Sequence, residues 1–240
     1  MKTLQKSGGI AALYLAFAHL MGIVLFLIVL DYPSITDPAQ KVALLVEKQW
    51  VIFSTNLILY VFFGVFLIVL SLALYDRQKA GAPALMQAAT ALGIIWAGSL
   101  IASGMVANAG IAPAVALHAT DPAQAALTWQ GTETVADGLG NANGEILGGL
   151  WVLLVSVAGL RAGGLPKGLN ILGVGVGVVG VLSLIPGLTD LLIGIFGLGQ
   201  IIWFVWLGAA LVRGRASDTS GWSVSHQATA AEGSARGQGA

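Results

Sequence analysis

His19 lies inside an uncharged, predominantly apolar run from Ile10 to Leu30. An ionisable group in hydrocarbon is costly and must face protein or water, so it marks a candidate site. An imidazole there could donate and accept hydrogen bonds or carry a proton. Other polar groups in apolar surroundings fall at its depth or nearer one end: Asn56, Asn108 and Gln200, with Asn141, Asn143 and Glu145 at one helix entry and Asp190 at another. With Trp151 as an apolar wall, His19, Asn56, Asn108, Glu145 and Gln200 make up the candidate ligand-binding set. Their functional reading is a cavity open to the outer face and covered by a long loop from about Ala109 to Gly140.

A plainer reading stands beside it. His19 could bond a neighbouring backbone carbonyl or amide, and the two readings stay open. Glu145 and Asp190 sit near helix starts, where the helix dipole favours an anion, so capping is the preferred account of both. Helical rise puts His19 roughly 15 Å below the outer end of its helix and Glu145 only a few ångströms below its own. A direct bond between them requires a sunken or tilted helix; a water bridge is easier. Trp96, Trp151, Trp203 and Trp206 could stack a planar or lipidic ligand, but ordinary packing is preferred.

Several chemistries lack support. The chain has no cysteine, which removes disulfides, thiolate sites and cysteine-held clusters. His118 and His226 fall on opposite sides of the membrane, and no His-x-x-x-His or Glu-x-x-His spacing exists, so no metal or cofactor is expected. The intramembrane serines (Ser54, Ser71, Ser99, Ser103, Ser156, Ser183) have no adjacent base. The run Gly175-Val176-Gly177-Val178-Val179-Gly180 matches G-x-G-x-x-G. That pattern binds dinucleotides only between a strand and a helix, whereas here Gly173 and Gly177 supply small-xxx-small spacing for helix packing. No catalytic residue is assigned.

The elements that position these groups follow from composition. Of 240 residues, 57% are hydrophobic and only 9% charged, and mean hydropathy is +0.87. A water-facing globule carries roughly a quarter charged residues. Crossing a bilayer core takes about 20 apolar residues in a helix. The expected fold is therefore all-α: a polytopic bundle of six transmembrane helices over about 10–30, 51–75, 84–108, 143–160, 169–185 and 190–212, within a domain of residues 1–215. The first run is too long for a signal-peptide core and is expected to be retained. With both termini inside, all the basic residues except Lys41 and Lys48 fall on the cytoplasmic side, as the positive-inside rule requires. Asp31, Asp37, Glu47, Asp121, Glu133, Asp137, Glu145 and Asp190 fall outside. The tail 216–240, rich in Ser, Gly, Ala and Gln, is expected to be disordered. Zero formal net charge gives no reason to expect nucleic acid.

The pentapeptide Thr-Asp-Pro-Ala-Gln occurs at 36–40 and again at 120–124. Each copy reads as a helix start, with Asp at the N-cap, Pro first in the helix and Gln placed to close a capping box. Convergent capping is preferred to duplication as the cause. Tyr32 and Trp50 suit the outer membrane interface, and Tyr75 the inner one.

Asn143-Gly144-Glu145, Leu147-Gly148-Gly149-Leu150-Trp151, Arg161, Leu165-Pro166-Lys167, the Gly-rich span and Ile202-Trp203-Phe204-Val205-Trp206-Leu207-Gly208 before Arg213 form a recurring pattern. Together with Gly8-Gly9-Ile10-Ala11-Ala12-Leu13-Tyr14-Leu15, it resembles the bacterial family called domain of unknown function 4386. The resemblance covers most of residues 7–213 and implies a multi-helix membrane protein without an established activity. It transfers no catalytic residue.

The leading expectation is a protein of the cell inner (cytoplasmic) membrane that binds a lipid or small apolar molecule, as transporter or sensor. The alternatives are an accessory or assembly subunit with a membrane-protein partner or as a homo-oligomer, and, ranked last, an intramembrane enzyme with His19 as general base.

Overall fold

In a chain this apolar, backbone groups in the hydrocarbon can bond only one another, and a helix satisfies them locally. The computed structural model describes residues 2–140 and 145–214, and every regular element among them is helical. Helix α1 (Lys2–Gly22) widens into a π segment, Ile23–Val29, and a 3-10 turn over Tyr32–Ser34 follows. Helix α2 (Pro38–Asn56) kinks at Lys48 and passes through a second π segment, Leu57–Phe62, into α3 (Phe63–Gln78). Then come α4 (Pro83–His118), α5 (Pro122–Leu139), α6 (Ile146–Ala162), α7 (Lys167–Leu182) and α8 (Thr189–Arg213).

Helices α1, α3, α4, α6, α7 and α8 close into a ring. Each packs on the next in chain order, and α8 returns to α1. Glycine brings their backbones together. A Cβ at Gly177 would lie 2.7 Å from the Gly149 carbonyl oxygen, and one at Gly149 would lie 2.7 Å from the Val181 nitrogen. The G-x-G-x-x-G run is thus a packing surface between α6 and α7. Inside the ring Trp96, Trp151, Trp203 and Phe204 are almost wholly buried and contact one another in tilted and edge-on pairs. Trp151 and Trp203 are packed wholly within the ring, Trp96 is buried but also borders a cavity, and Trp206 is exposed. The ring's outside carries Phe17, Leu27, Ile95, Leu198 and Ile202, all exposed, as lipid contact demands.

Among the described residues, four helical stretches are long and apolar enough to cross a membrane: Thr3–Val29, Pro38–Gln78, Pro83–His118 and Thr189–Arg213. Helices α6 and α7 are apolar but shorter. Two of the long stretches exceed the sequence expectation. The segment expected at 51–75 belongs to a helical run beginning at Pro38, and the one expected to end near 108 continues to His118. At 1.5 Å per residue α4 is about 54 Å long, well beyond a bilayer core of about 30 Å.

The surplus builds a second body. The far end of α4, α2 and α5 pack around Leu30, Val42, Leu45, Ile52, Ile111, Ala114, Ala125 and Trp129, separate from the ring's core. The covering loop expected over 109–140 is therefore a helix end, a turn and a second helix. Apolar residues at helical spacing have a partner there in α2, so the chain stays helical outside the ring. Both Thr-Asp-Pro-Ala-Gln copies start helices of this cap. The Asp37 side chain accepts from the Ala39 N–H, and Asp121 from the Gln124 N–H. Among the described hydrogen bonds, neither Gln40 nor Gln124 returns the reciprocal capping-box bond. Asn141, Asn143 and the tail 216–240, with His226, lie outside the described residues.

Candidate functional site

His19 projects from α1 just before the helix widens. Its Nδ1 lies 2.9 Å from the Leu15 carbonyl oxygen. A carbonyl only accepts, so Nδ1 must carry the proton and a neutral ring presents Nε2 as an acceptor. The ring meets Phe63 edge-on at 5.2 Å and Phe204 at 5.9 Å. Gln200, reaching in from α8, approaches the imidazole. Its amide is fully buried, and neither its oxygen nor its nitrogen has a hydrogen-bond partner of ordinary geometry.

These two side chains and Glu145 line one chamber of ≈ 230 Å³, with Tyr60, Phe63 and Trp96 among its walls. Glu145 occupies the N-cap position of α6, yet its carboxylate bonds no first-turn N–H. Its backbone N–H donates to Ser183 Oγ at 2.8 Å, and that hydroxyl donates to the Gly180 carbonyl at 2.6 Å. The preference for capping is thus corrected for Glu145: the position is a cap, but the side chain lines the chamber. Asp190 lies exposed in the first turn of α8, where the dipole account suffices. The described hydrogen bonds give His19 no titratable partner.

A second cavity, ≈ 290 Å³, lies between the cap and the ring. Tyr32 donates to Glu133 Oε1 at 2.5 Å and accepts from the Trp129 indole N–H at 2.9 Å. Lys41 Nζ reaches both Glu133 oxygens, at 2.9 and 3.2 Å, and stands 4.9 Å from the Tyr32 ring centre. Burial and then Glu133 push the Tyr32 phenol far above its usual range. Asp137, at the rim, is raised by partial desolvation and by Glu133, against a smaller opposing effect of Lys41. Tyr32, expected at the membrane interface, turns inward instead.

Asn56 lines this second cavity and donates to Asn108 Oδ1 at 2.9 Å, while Asn108 donates to the Phe53 carbonyl at 3.2 Å. Tyr60 lines both cavities, and Gly104 gives it room: a Cβ there would lie 2.7 Å from the Tyr60 Cβ.

Of the six residues expected to form the site, His19, Glu145 and Gln200 come together, whereas Asn56 belongs to the second cavity. Asn108 holds Asn56, and Trp151 is buried in the ring with its indole N–H unpartnered. Sequence reasoning missed Tyr60 and the cluster of Tyr32, Lys41, Trp129, Glu133 and Asp137. A signal existed for part of it: Trp129, Glu133 and Asp137 recur every four residues after a capped helix start, placing them on one face.

Among the described residues no group of three or more His, Asp or Glu side chains could hold a metal ion. No protein family, curated protein or solved structure matches the chain. Among the described residues the chain is all-helical, with four helical stretches long and apolar enough to span a membrane.

Proposed function

We propose that this is a six-span protein of a bacterial inner membrane, with both termini cytoplasmic, that binds a small molecule or lipid in the chamber beside His19. The observation that carries the binding reading is Gln200. A fully buried amide that approaches the imidazole, yet has no hydrogen bond of ordinary geometry at either polar atom, lines a cavity it shares with that imidazole and a carboxylate. Leaving such a group unpaired costs about 1–3 kcal/mol, a cost that a ligand bonding it would recover.

The orientation is supported by how basic residues gather at one end of the ring. Gln5 donates to the Ala73 carbonyl at 2.9 Å, Arg77 Nε donates to the Gly164 carbonyl at 2.7 Å, and Gly9 lies against Gly208 and Val212. Lys6, Arg77, Arg161, Lys167 and Arg213 thus belong to elements meeting at that end, while the acidic cap stands at the other. Helices α6 and α7 are short for a bilayer, but each packs between ring neighbours as the longer helices do. On this reading the chamber opens toward the cap through the neighbouring cavity. Kinship with domain of unknown function 4386 is part of the proposal and brings no activity with it.

Native mass spectrometry of protein purified in mild detergent tests the binding reading. The wild type is expected to carry a low-mass adduct that Gly22→Trp, which fills the chamber, loses. Ligand-free spectra from both proteins would sink it.

A further inference from the structure

Resting on the reading of this chamber as a ligand site, we propose that its ligand is an organic cation: an ammonium head on a small apolar body. Five side chains with polar atoms line the chamber, His19, Tyr60, Trp96, Glu145 and Gln200, and no lysine or arginine is among the lining residues. With Nδ1 bonded to Leu15, His19 offers an acceptor at Nε2. Gln200 offers an unpartnered amide oxygen and Glu145 a carboxylate, for which the described residues provide no ion-pair partner. The remaining walls include Tyr60, Phe63 and Trp96, whose ring faces attract cations. An anion would find no positive partner here, and a neutral apolar molecule would leave the carboxylate and amide unsatisfied.

The neighbouring cavity continues the pattern. It holds Glu133 and Asp137 against one cation, Lys41, whose ammonium is already committed to Glu133. Tyr60 belongs to both cavities, so a cation leaving the cap side meets acidic groups first, then an aromatic wall, then Glu145. The volume of ≈ 230 Å³ suits a head group with a short alkyl or aryl body and excludes a whole phospholipid.

The absence of native cysteine gives a direct test in the full-length protein in nanodiscs. Gly22→Cys places a thiol in the chamber wall, where a Cβ has only ordinary contact at 3.4 Å with Leu59. Gln40→Cys, on an exposed residue of the cap, is the reference. Both are treated with a trimethylammonium-ethyl and a sulfonato-ethyl methanethiosulfonate. The ratio of cationic to anionic labelling rates is expected to be at least tenfold higher at Gly22→Cys than at Gln40→Cys. Adding Glu145→Gln should return it to the surface value. Benzyltrimethylammonium should protect Gly22→Cys only while Glu145 is present and should leave labelling at Gln40→Cys unchanged, with an unaltered gel-filtration profile of each variant reporting an intact fold. Equal ratios at the two sites, or a high ratio indifferent to Glu145→Gln, overturn the cation assignment while the ligand chamber stands. A Gly22→Cys thiol inert to both reagents overturns it as well. The mass-spectrometric adduct then decides separately whether the chamber holds a ligand.

Discussion

The cap and the ring share α4 and are joined by the run of α2 into α3, yet they differ in how they handle buried polarity. In the cap and where it joins the ring, most polar atoms are paired, Tyr32 with Glu133 and Trp129, Lys41 with Glu133 and Asn56 with Asn108, the Thr55 hydroxyl being an exception. In the ring, Ser71, Trp96, Trp151, Ser156, Gln200 and Trp203 keep buried donors or acceptors without partners. The ring is held instead by close backbone approach at glycines and by tilted and edge-on aromatic contacts. Water competes for every polar group in the cap, so pairing there must be specific. Between apolar helices a hydrogen bond gains less than dense packing, and small residues provide the density. The cap stays put by bonding; the ring does so by fit.

The largest test of that contrast removes the fit. Gly149→Leu would drive a side chain into the α7 backbone at Val181 and Gly180. Overpacking of this kind costs about 3 kcal/mol or more, so loss of the monodisperse species in detergent is expected. Gly175→Leu, one turn of the same partner helix away in open space, should leave the thermal midpoint nearly unchanged. Equal behaviour of the two variants would refute packing by fit.

Next comes Glu133→Gln, which strips Lys41 and Tyr32 of their anion. The expected loss is about 1–3 kcal/mol, with the cap opening before the ring. Hydrogen exchange would show it as faster amide exchange in α5 alone, and uniform acceleration across both bodies would contradict two separate cores.

Gln200→Leu should act in the opposite sense. Replacing an unpartnered amide by an apolar group of similar size should leave stability unchanged or raise it by up to about 1 kcal/mol, while the mass-spectrometric adduct is lost. Destabilisation on the scale of Glu133→Gln would mean that Gln200 is a structural bond after all.

The smallest effect concerns pH. Asp137 has its carboxyl raised in the folded cap, mainly by desolvation. A raised folded value means the stabilisation is complete below the usual aspartate range, near pH 4, and is lost as pH rises through the raised value. Asp137→Asn should therefore flatten the pH dependence of cap opening above the usual aspartate range. A profile unchanged by the substitution would show that Asp137 is solvated.

Much of the ring was legible in the sequence, because span length and hydropathy act over about 20 consecutive residues. The helix starts at Asp37 and Asp121 were legible too, since a cap is settled within four residues. The cap as a body was not. Ala109–Gly140 read as a loop because it lay beyond the length a bilayer needs, and nothing local announces that α2 would run on to meet it. The site was half legible: His19, Glu145 and Gln200 stood out as polar groups in apolar surroundings. Tyr60, an unremarkable residue in an apolar run, did not.

The sequence alone determined where the apolar spans of the ring lie, which ends carry basic or acidic charge, and that His19 needs an explanation. Those properties depend on neighbours along the chain. Only the tertiary structure decided that α8 closes on α1, which brings Gln200 to His19, and that Tyr32 reaches Glu133 across 101 positions. Such meetings depend on which helix faces which. That choice rests on small residues and aromatic shapes whose partners lie in distant segments, where no local pattern records them.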